Sequence, residues 1–279
     1  MSSSSGSMSD PVQPASEADP MPYDQTDFVL QSDEGLPIRG TVTAPRHARA
    51  VVVIVHGFKG FKEWGFFPWL GEQFAGQGIA AVRFDMSRNG IGERSDEFDR
   101  LDLFEDDTYS VQLSDLDRVL VHVLSLPALS ELPLFLLGHS RGGAVVLLGA
   151  ARTPVVRGVV TWSSIGTIDR WDDATKKDWR ARGWIDATNS RTGQKMKVST
   201  RLLDDCEAHR EEFDIERAVA GIQRPVLIVH GMKDESVPAE EGRRIAAAGP
   251  TASLLLIGNA GHTYGAIHPL VSVPDELPL

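Results

Sequence analysis

The chain has 279 residues, with 28 Lys and Arg against 39 Asp and Glu, a formal net charge of −11 and a hydrophobic fraction of 42 %. That length and composition suit one large or two small folded domains and exclude a fibre or a wholly disordered chain. The acidic balance argues against nucleic acid and anionic membranes as partners, because both repel the mean field. A single cysteine, Cys206, excludes an internal disulfide.

Residues 1–23 are rich in Ser, Pro, Asp and Glu and have almost nothing to bury, which predicts a disordered tail, with the folded domain over 24–279. No basic stretch followed by an apolar one opens the chain, and the longest apolar runs, Ala50–Val55 and Ala144–Ala151, are far shorter than the ~20 residues of a membrane span. The expected location is cytoplasmic. Strands are predicted at Phe28–Ser32 and Pro37–Thr43, around a turn at Asp33-Glu34-Gly35. Ala50–Val55 is almost wholly β-branched, the pattern of a strand buried on both faces. A helix over Leu70–Gln77 and a strand over Ile79–Phe84 follow. Leu116, Val119, Leu120, Val123 and Leu124 form one face of a helix over Leu113–Leu126, which Pro127 ends. Next come a strand at Leu134–Leu137, a helix at Gly142–Ala151 and a strand at Gly158–Trp162. Strands at Pro225–Val229 and Ser253–Ile257 enclose a helix at Ala239–Ala248. This alternation predicts an α/β fold with a mostly parallel, doubly wound sheet and helices on both faces. Residues 166–214 break the pattern. They are polar, carry Trp171, Trp179 and Trp184, and suggest a hairpin (Ile185–Asn189 with Lys195–Ser199) and a helix (Arg201–Glu212). A stretch that long between core strands predicts a small lid insertion.

Gly138-His139-Ser140-Arg141-Gly142 carries the clearest chemistry. A strand leads straight into it and an apolar helix leaves it, the setting of a nucleophile elbow, with Ser140 at the tip of a turn too tight for a β-carbon at either glycine. A serine hydroxyl needs a base. His262, in Asn259-Ala260-Gly261-His262 just beyond the last predicted strand, occupies that position. His268 is its rival, His56 and His230 suit loop bracing, His139 points away from its own neighbour, and His47, His122 and His209 suit surface or helix-face positions. The imidazole needs a carboxylate to hold its tautomer. Asp234, in the loop after Pro225–Val229, supplies it, with adjacent Glu235 the alternative. An oxyanion needs fixed N–H donors. The backbone amide of Arg141, at a helix N-terminus, is one. The amide of Phe58, in the loop His56-Gly57-Phe58-Lys59-Gly60, is the other, its side chain walling the acyl pocket. Arg88-Asn89-Gly90-Ile91-Gly92 lacks the third glycine of a dinucleotide site, and no phosphate loop or zinc spacing occurs.

The ordered set HGFKG, GHSRGG, HGMKDESVP and NAGH resembles the α/β-hydrolase superfamily over about Phe28–His268. Within it, the chain is most similar to the bacterial esterase branch that includes cinnamoyl and feruloyl esterases and neighbouring serine-peptidase-like hydrolases. The resemblance implies Ser140 as nucleophile, Asp234 as acid, His262 as base, and the Phe58 and Arg141 amides as oxyanion hole, coinciding with the residue-level choices. Such folds usually close with a long helix after the histidine loop, whereas Pro269, Pro274 and Pro278 forbid one here. The expected activity is hydrolysis of a small-molecule carboxylic ester, without metal or organic cofactor. Peptide, thioester and lactone hydrolysis on the same triad are alternatives, and a non-catalytic binding module is a more remote one.

Overall fold

The computed structural model describes residues 23–94 and 96–278. Tyr23 opens the first strand, so the last residue of the predicted tail is folded, and residues 1–22 lie outside the described residues. Strands β1 (Tyr23–Gln31) and β2 (Pro37–Pro45) form an antiparallel pair, longer than the sequence pattern suggested. Then come β3 (Ala50–Val55), α1 (Phe67–Gly76), β4 (Ile79–Phe84), α2 (Leu101–Glu105) and α3 (Tyr109–Ser125). After these, β5 (Leu134–His139), α4 (Arg141–Arg152) and β6 (Val156–Trp162) form the centre of the molecule. Helix α3 starts four residues before the predicted position because the Thr108 hydroxyl accepts from the Val111 amide and caps it.

The insertion follows β6 and comprises α5 (Asp173–Arg182), the hairpin β7 (Trp184–Thr188) and β8 (Lys195–Ser199), and α6 (Thr200–Ala208). Helix α5 was not foreseen. Its signals are local: the Asp172 carboxylate accepts from the Thr175 amide, and Gly183, at φ 82°, ends it in the left-handed region. Helix α6 stops at Ala208, short of the predicted Glu212, since Glu211 and Glu212 would place negative charge at a helix C-terminus. The chain returns through α7 (Ile215–Gly221), β9 (Val226–Gly231), α8 (Ala239–Ala248) and β10 (Ala252–Ile257).

Eight strands form one sheet in the order β1-β2-β4-β3-β5-β6-β9-β10, parallel from β4 to β10 and antiparallel at the β1–β2–β4 edge. All six residues of β3 are buried. Val51, Val53 and Val55 pack in one apolar layer with α3 and α4, and Val52 and Ile54 pack in the other with Phe67 and Leu70 of α1. Both faces are covered, as the unbroken apolar run requires. Among the described residues no helix follows His262. Instead Tyr264, Ala266 and Leu277 pack into the second layer, and the Tyr264 hydroxyl donates to Val229 O (3.0 Å) while accepting from Ser163 Oγ (3.1 Å). Among the described residues, no helix is long and apolar enough to cross a membrane.

Candidate active site

The loops leaving the carboxyl ends of β3, β5, β9 and β10 converge on one edge of the sheet, where open α/β sheets place their sites. β5 ends at His139 and α4 begins at Arg141, leaving Ser140 as the turn. Ser140 has φ 56° and ψ −120°, a conformation that only surrounding packing can hold for a residue with a side chain. That packing is visible. A β-carbon at Gly138 would lie 2.2 Å from Gly142 O, and one at Gly142 would lie 2.4 Å from the carbonyl oxygens of Val55 and His56.

The three side chains singled out in the sequence meet here. His262 Nε2 lies 3.0 Å from Ser140 Oγ, and His262 Nδ1 lies 2.8 Å from Asp234 Oδ2. A carboxylate can only accept, so Nδ1 carries the proton and Nε2 is left to accept from the serine hydroxyl. Asp234 has a fully buried side chain, and its Oδ1 accepts from the amides of Ser236 (2.9 Å) and Val237 (2.8 Å). Burial opposes its charge. The hydrogen bonds from His262 and Val237 outweigh that and hold the carboxyl below the usual carboxylate range. Glu235, the alternative, is exposed.

Four other histidines, His139, His56, His230 and His268, support loops. His139, expected to point away from its neighbour Ser140, lies with its ring 4.9 Å from that of His262, and its Nε2–H donates to His262 O (2.9 Å). Nothing in its spacing revealed this, because the partner is a backbone carbonyl 123 residues away. Burial pushes its pKa down to about 3, so the ring stays neutral. His56 Nδ1–H donates to Gly57 O (2.9 Å) and Nε2 accepts from the Met86 amide (3.3 Å), bracing the β3 loop. His230 Nε2–H donates to Val237 O (2.9 Å) and braces the loop of Asp234. His268, the rival base, accepts from the Gly65 amide through Nδ1 (2.9 Å) and stacks on Trp64 at the cavity wall.

The β3 loop passes beside the serine: a β-carbon at Gly57 would lie 2.8 Å from Ser140 Cβ. Among the described residues no backbone carbonyl pairs with the amide of Phe58 or of Arg141, and the latter is at the first position of α4, where no intrahelical partner exists.

These groups open onto a cavity of about 800 Å³. The insertion supplies one wall, including Trp171 and Trp179, whose rings meet edge to face at 4.9 Å; Trp184 lies elsewhere, under Lys197 and Arg182. The wall contains an unusual charge. Arg141 is 7 % exposed, with its guanidinium carbon 4.2 Å from the centre of the Phe58 ring and 5.2 Å from that of Tyr109. Asp107 Oδ2 stands 3.6 Å away, and among the described residues no oxygen accepts a hydrogen bond from this guanidinium. Taking such a charge out of water costs several kcal/mol, and two aromatic faces return only about 1–2 kcal/mol each. Among the described residues four cationic side chains line the cavity, Lys59, Arg141, Arg170 and Arg191, against one carboxylate, Asp186. Lys62 and Glu63 instead pair with each other outside it. Among the described residues, no cluster of His, Cys, Asp and Glu could hold a metal ion.

The strand order, the elbow and the placement of the loops define an α/β-hydrolase. The chain belongs to the Hydrolase_4 family, described as serine aminopeptidase, S33, whose model matches residues 46–214. That match includes the elbow and the β3 loop and ends before Asp234 and His262. No curated protein matches the chain by sequence. Among solved structures, Est1E from Butyrivibrio proteoclasticus superposes with a TM-score of 0.67 at 21 % identity, covering 86 % of this chain and 91 % of that one. Est1E with bound ferulic acid aligns at 24 % identity and a TM-score of 0.67, covering 84 % and 90 %. The esterase domain of a Rhodothermus marinus protein aligns at 18 % identity and a TM-score of 0.60, covering 86 % and 90 %. At these identities the likeness is one of fold.

Proposed function

We propose that the protein hydrolyses small carboxylic esters through an acyl-enzyme, with Ser140 as nucleophile, His262 as base and Asp234 as the group that orients and stabilises the imidazolium. The support is the hydrogen-bond relay from Ser140 Oγ through His262 to Asp234 Oδ2, at 3.0 and 2.8 Å, on the strained turn after β5. In this reading Ser140 Oγ attacks the ester carbonyl as His262 Nε2 takes its proton. The amides of Phe58 and Arg141 bind the oxyanion, and His262 returns the proton to the leaving alcohol. Water then adds to the acyl group with the same base, and collapse of the second tetrahedral intermediate releases the acid and restores the serine. The residues 166–214 act as the lid that walls the acyl pocket.

The family description favours peptides as a second reading. An aminopeptidase must admit a protonated amine, however, and the buried Arg141 guanidinium beside Ser140, with Lys59 on the same side, repels it. Comparing kcat/KM on para-nitrophenyl butyrate and on an amino-acid para-nitroanilide separates the two.

A fluorophosphonate probe tests the mechanism. It should label Ser140, and Ser140→Ala should lose both the adduct and turnover, retaining at most the roughly 10³–10⁴-fold over water that oxyanion binding supplies. An unlabelled serine in the folded protein, or full turnover by Ser140→Ala, would refute it.

A further inference from the structure

We infer that the Arg141 guanidinium receives a carboxylate carried by the substrate, so that the esters selected are those bearing a second, ionised carboxyl group. The inference rests on the ester-hydrolase reading above and adds the substrate class to it.

The Arg141 guanidinium has aromatic faces and a carboxylate oxygen at 3.6 Å beside it but donates no hydrogen bond among the described residues. Arg141 is more than nine-tenths buried, faces the cavity, and lies in the residue next to Ser140. Its planar fork can bind a carboxylate through two parallel N–H···O bonds, a geometry that a ring face cannot supply. Asp107 does not take that place: its Oδ2 is 3.6 Å off and already accepts from Gln112 Nε2, and its Oδ1 meets no donor among the described residues. Burial also pushes the Asp107 carboxyl up to about 7, which weakens it as a counter-charge at neutral pH. Lys59 adds positive charge on the same side, its Nζ 5.6 Å from the centre of the Phe58 ring. The other lining charges are committed elsewhere or lie in solvent. Arg170 binds Glu241 at 2.7 Å, the lining acid Asp186 binds Arg182 at 2.8 Å, and Arg191 is exposed. An ester whose carbonyl oxygen meets the Arg141 amide would need only a short spacer to bring a carboxylate to the guanidinium of the same residue. A chain of net charge −11 thus keeps a buried cation in the cavity beside Ser140.

Two matched ester pairs test this on the full chain. Monomethyl adipate against methyl adipamate puts the charge on the acyl side, and para-acetoxybenzoate against para-acetoxybenzamide puts it on the alcohol side. Each pair opposes a carboxylate to a neutral amide of the same shape. The expected result is a kcat/KM preference for the carboxylate of about tenfold or more in at least one pair, carried mainly by KM. Arg141→Met and Arg141→Gln should erase the preference and Arg141→Lys should restore part of it. The ratio within a pair is the readout, so a general loss of activity does not imitate the effect. Equal rates on both members of both pairs by the unaltered protein, or a preference that survives Arg141→Met, would overturn the inference. Fluorophosphonate labelling separates the two failures. A labelled Ser140 with no carboxylate preference removes only this inference, whereas no label and no ester hydrolysis removes the hydrolase reading with it.

Discussion

Asp234 keeps its charge although burial opposes it, because two loop amides and His262 all donate to its oxygens. The same bonds hold the proton on His262 Nδ1, and the consequence is testable. Asp234→Asn presents an amide where the ring needs an acceptor, and the ring then turns its Nδ1 lone pair toward a donor. Steady-state kinetics on an aryl ester should show kcat lower by about 10⁴, as expected when the base holds the wrong tautomer, with KM little changed. A loss below tenfold would mean that Asp234 does not orient the base. The sign of its pKa shift carries a second expectation. Its lowered pKa contributes stability that is fully present above the ordinary carboxyl value and is lost as the pH falls through the folded value. At this level most of the candidate site was legible. The glycine spacing around Ser140, and the positions of Asp234 and His262 just past predicted strand ends, are local patterns. The bracing bond from His139 was not, because an imidazole that donates to a distant carbonyl leaves no mark in its own neighbourhood.

The β5–Ser140–α4 unit shows how tightly a helix can be set against a sheet. Helix α4 is buried from Arg141 to Ala150, and its first turn approaches the end of β3 without room for a methyl group. Gly142→Ala should therefore move α4 or the β3 loop, costing about 1–3 kcal/mol as overpacking does, and it should depress activity through the Phe58 amide. Thermal unfolding and aryl-ester turnover would check both; an unchanged melting temperature would refute the steric account. The long amphipathic or wholly apolar elements were readable because burial imposes periodicity over many residues. Helices α2 and α7, of five and seven residues, are too short to display it, and α5 shows mainly its caps. In the insertion, order comes from a few anchors. Trp179 is fully buried and its Nε1–H donates to Val198 O at 2.9 Å, joining α5 to β8.

Taken together, the buried ionisable groups give the fold a particular acid response. Asp115 has no exposed surface, its Oδ2 accepts from the Ser87 amide at 2.7 Å, and its Oδ1 has no partner among the described residues. Burial pushes its pKa up to about 6 against the pull of that amide. A carboxyl raised in the folded state binds its proton more tightly there than in the unfolded chain. Its stabilising contribution is complete below the unfolded pKa and is lost as the pH rises through the folded one. The difference in unfolding free energy between the unaltered protein and Asp115→Asn should fall by up to about 3 kcal/mol between roughly pH 4 and 6, then level off. Denaturant titrations across that range would test it, and a flat difference would refute it. His56 and His139, pushed down to about 4 and 3 by burial, act in the opposite sense and weaken the fold as the pH drops below the ordinary histidine value.

What the order of residues alone determined was the alternation of strands and helices, the turn that presents Ser140, and the positions of Asp234 and His262 just past strand ends. These follow from hydrophobic periodicity and from steric limits on a few neighbouring residues, both of which are written locally. Folding had to supply the rest. It brought Ser140 and His262 together across 122 positions, packed an irregular C-terminal segment where a helix would ordinarily lie, and turned the Arg141 side chain into the cavity without a hydrogen-bonding partner among the described residues. Direction and distance between remote side chains depend on how the sheet twists and the layers pack, and no short stretch of sequence encodes them.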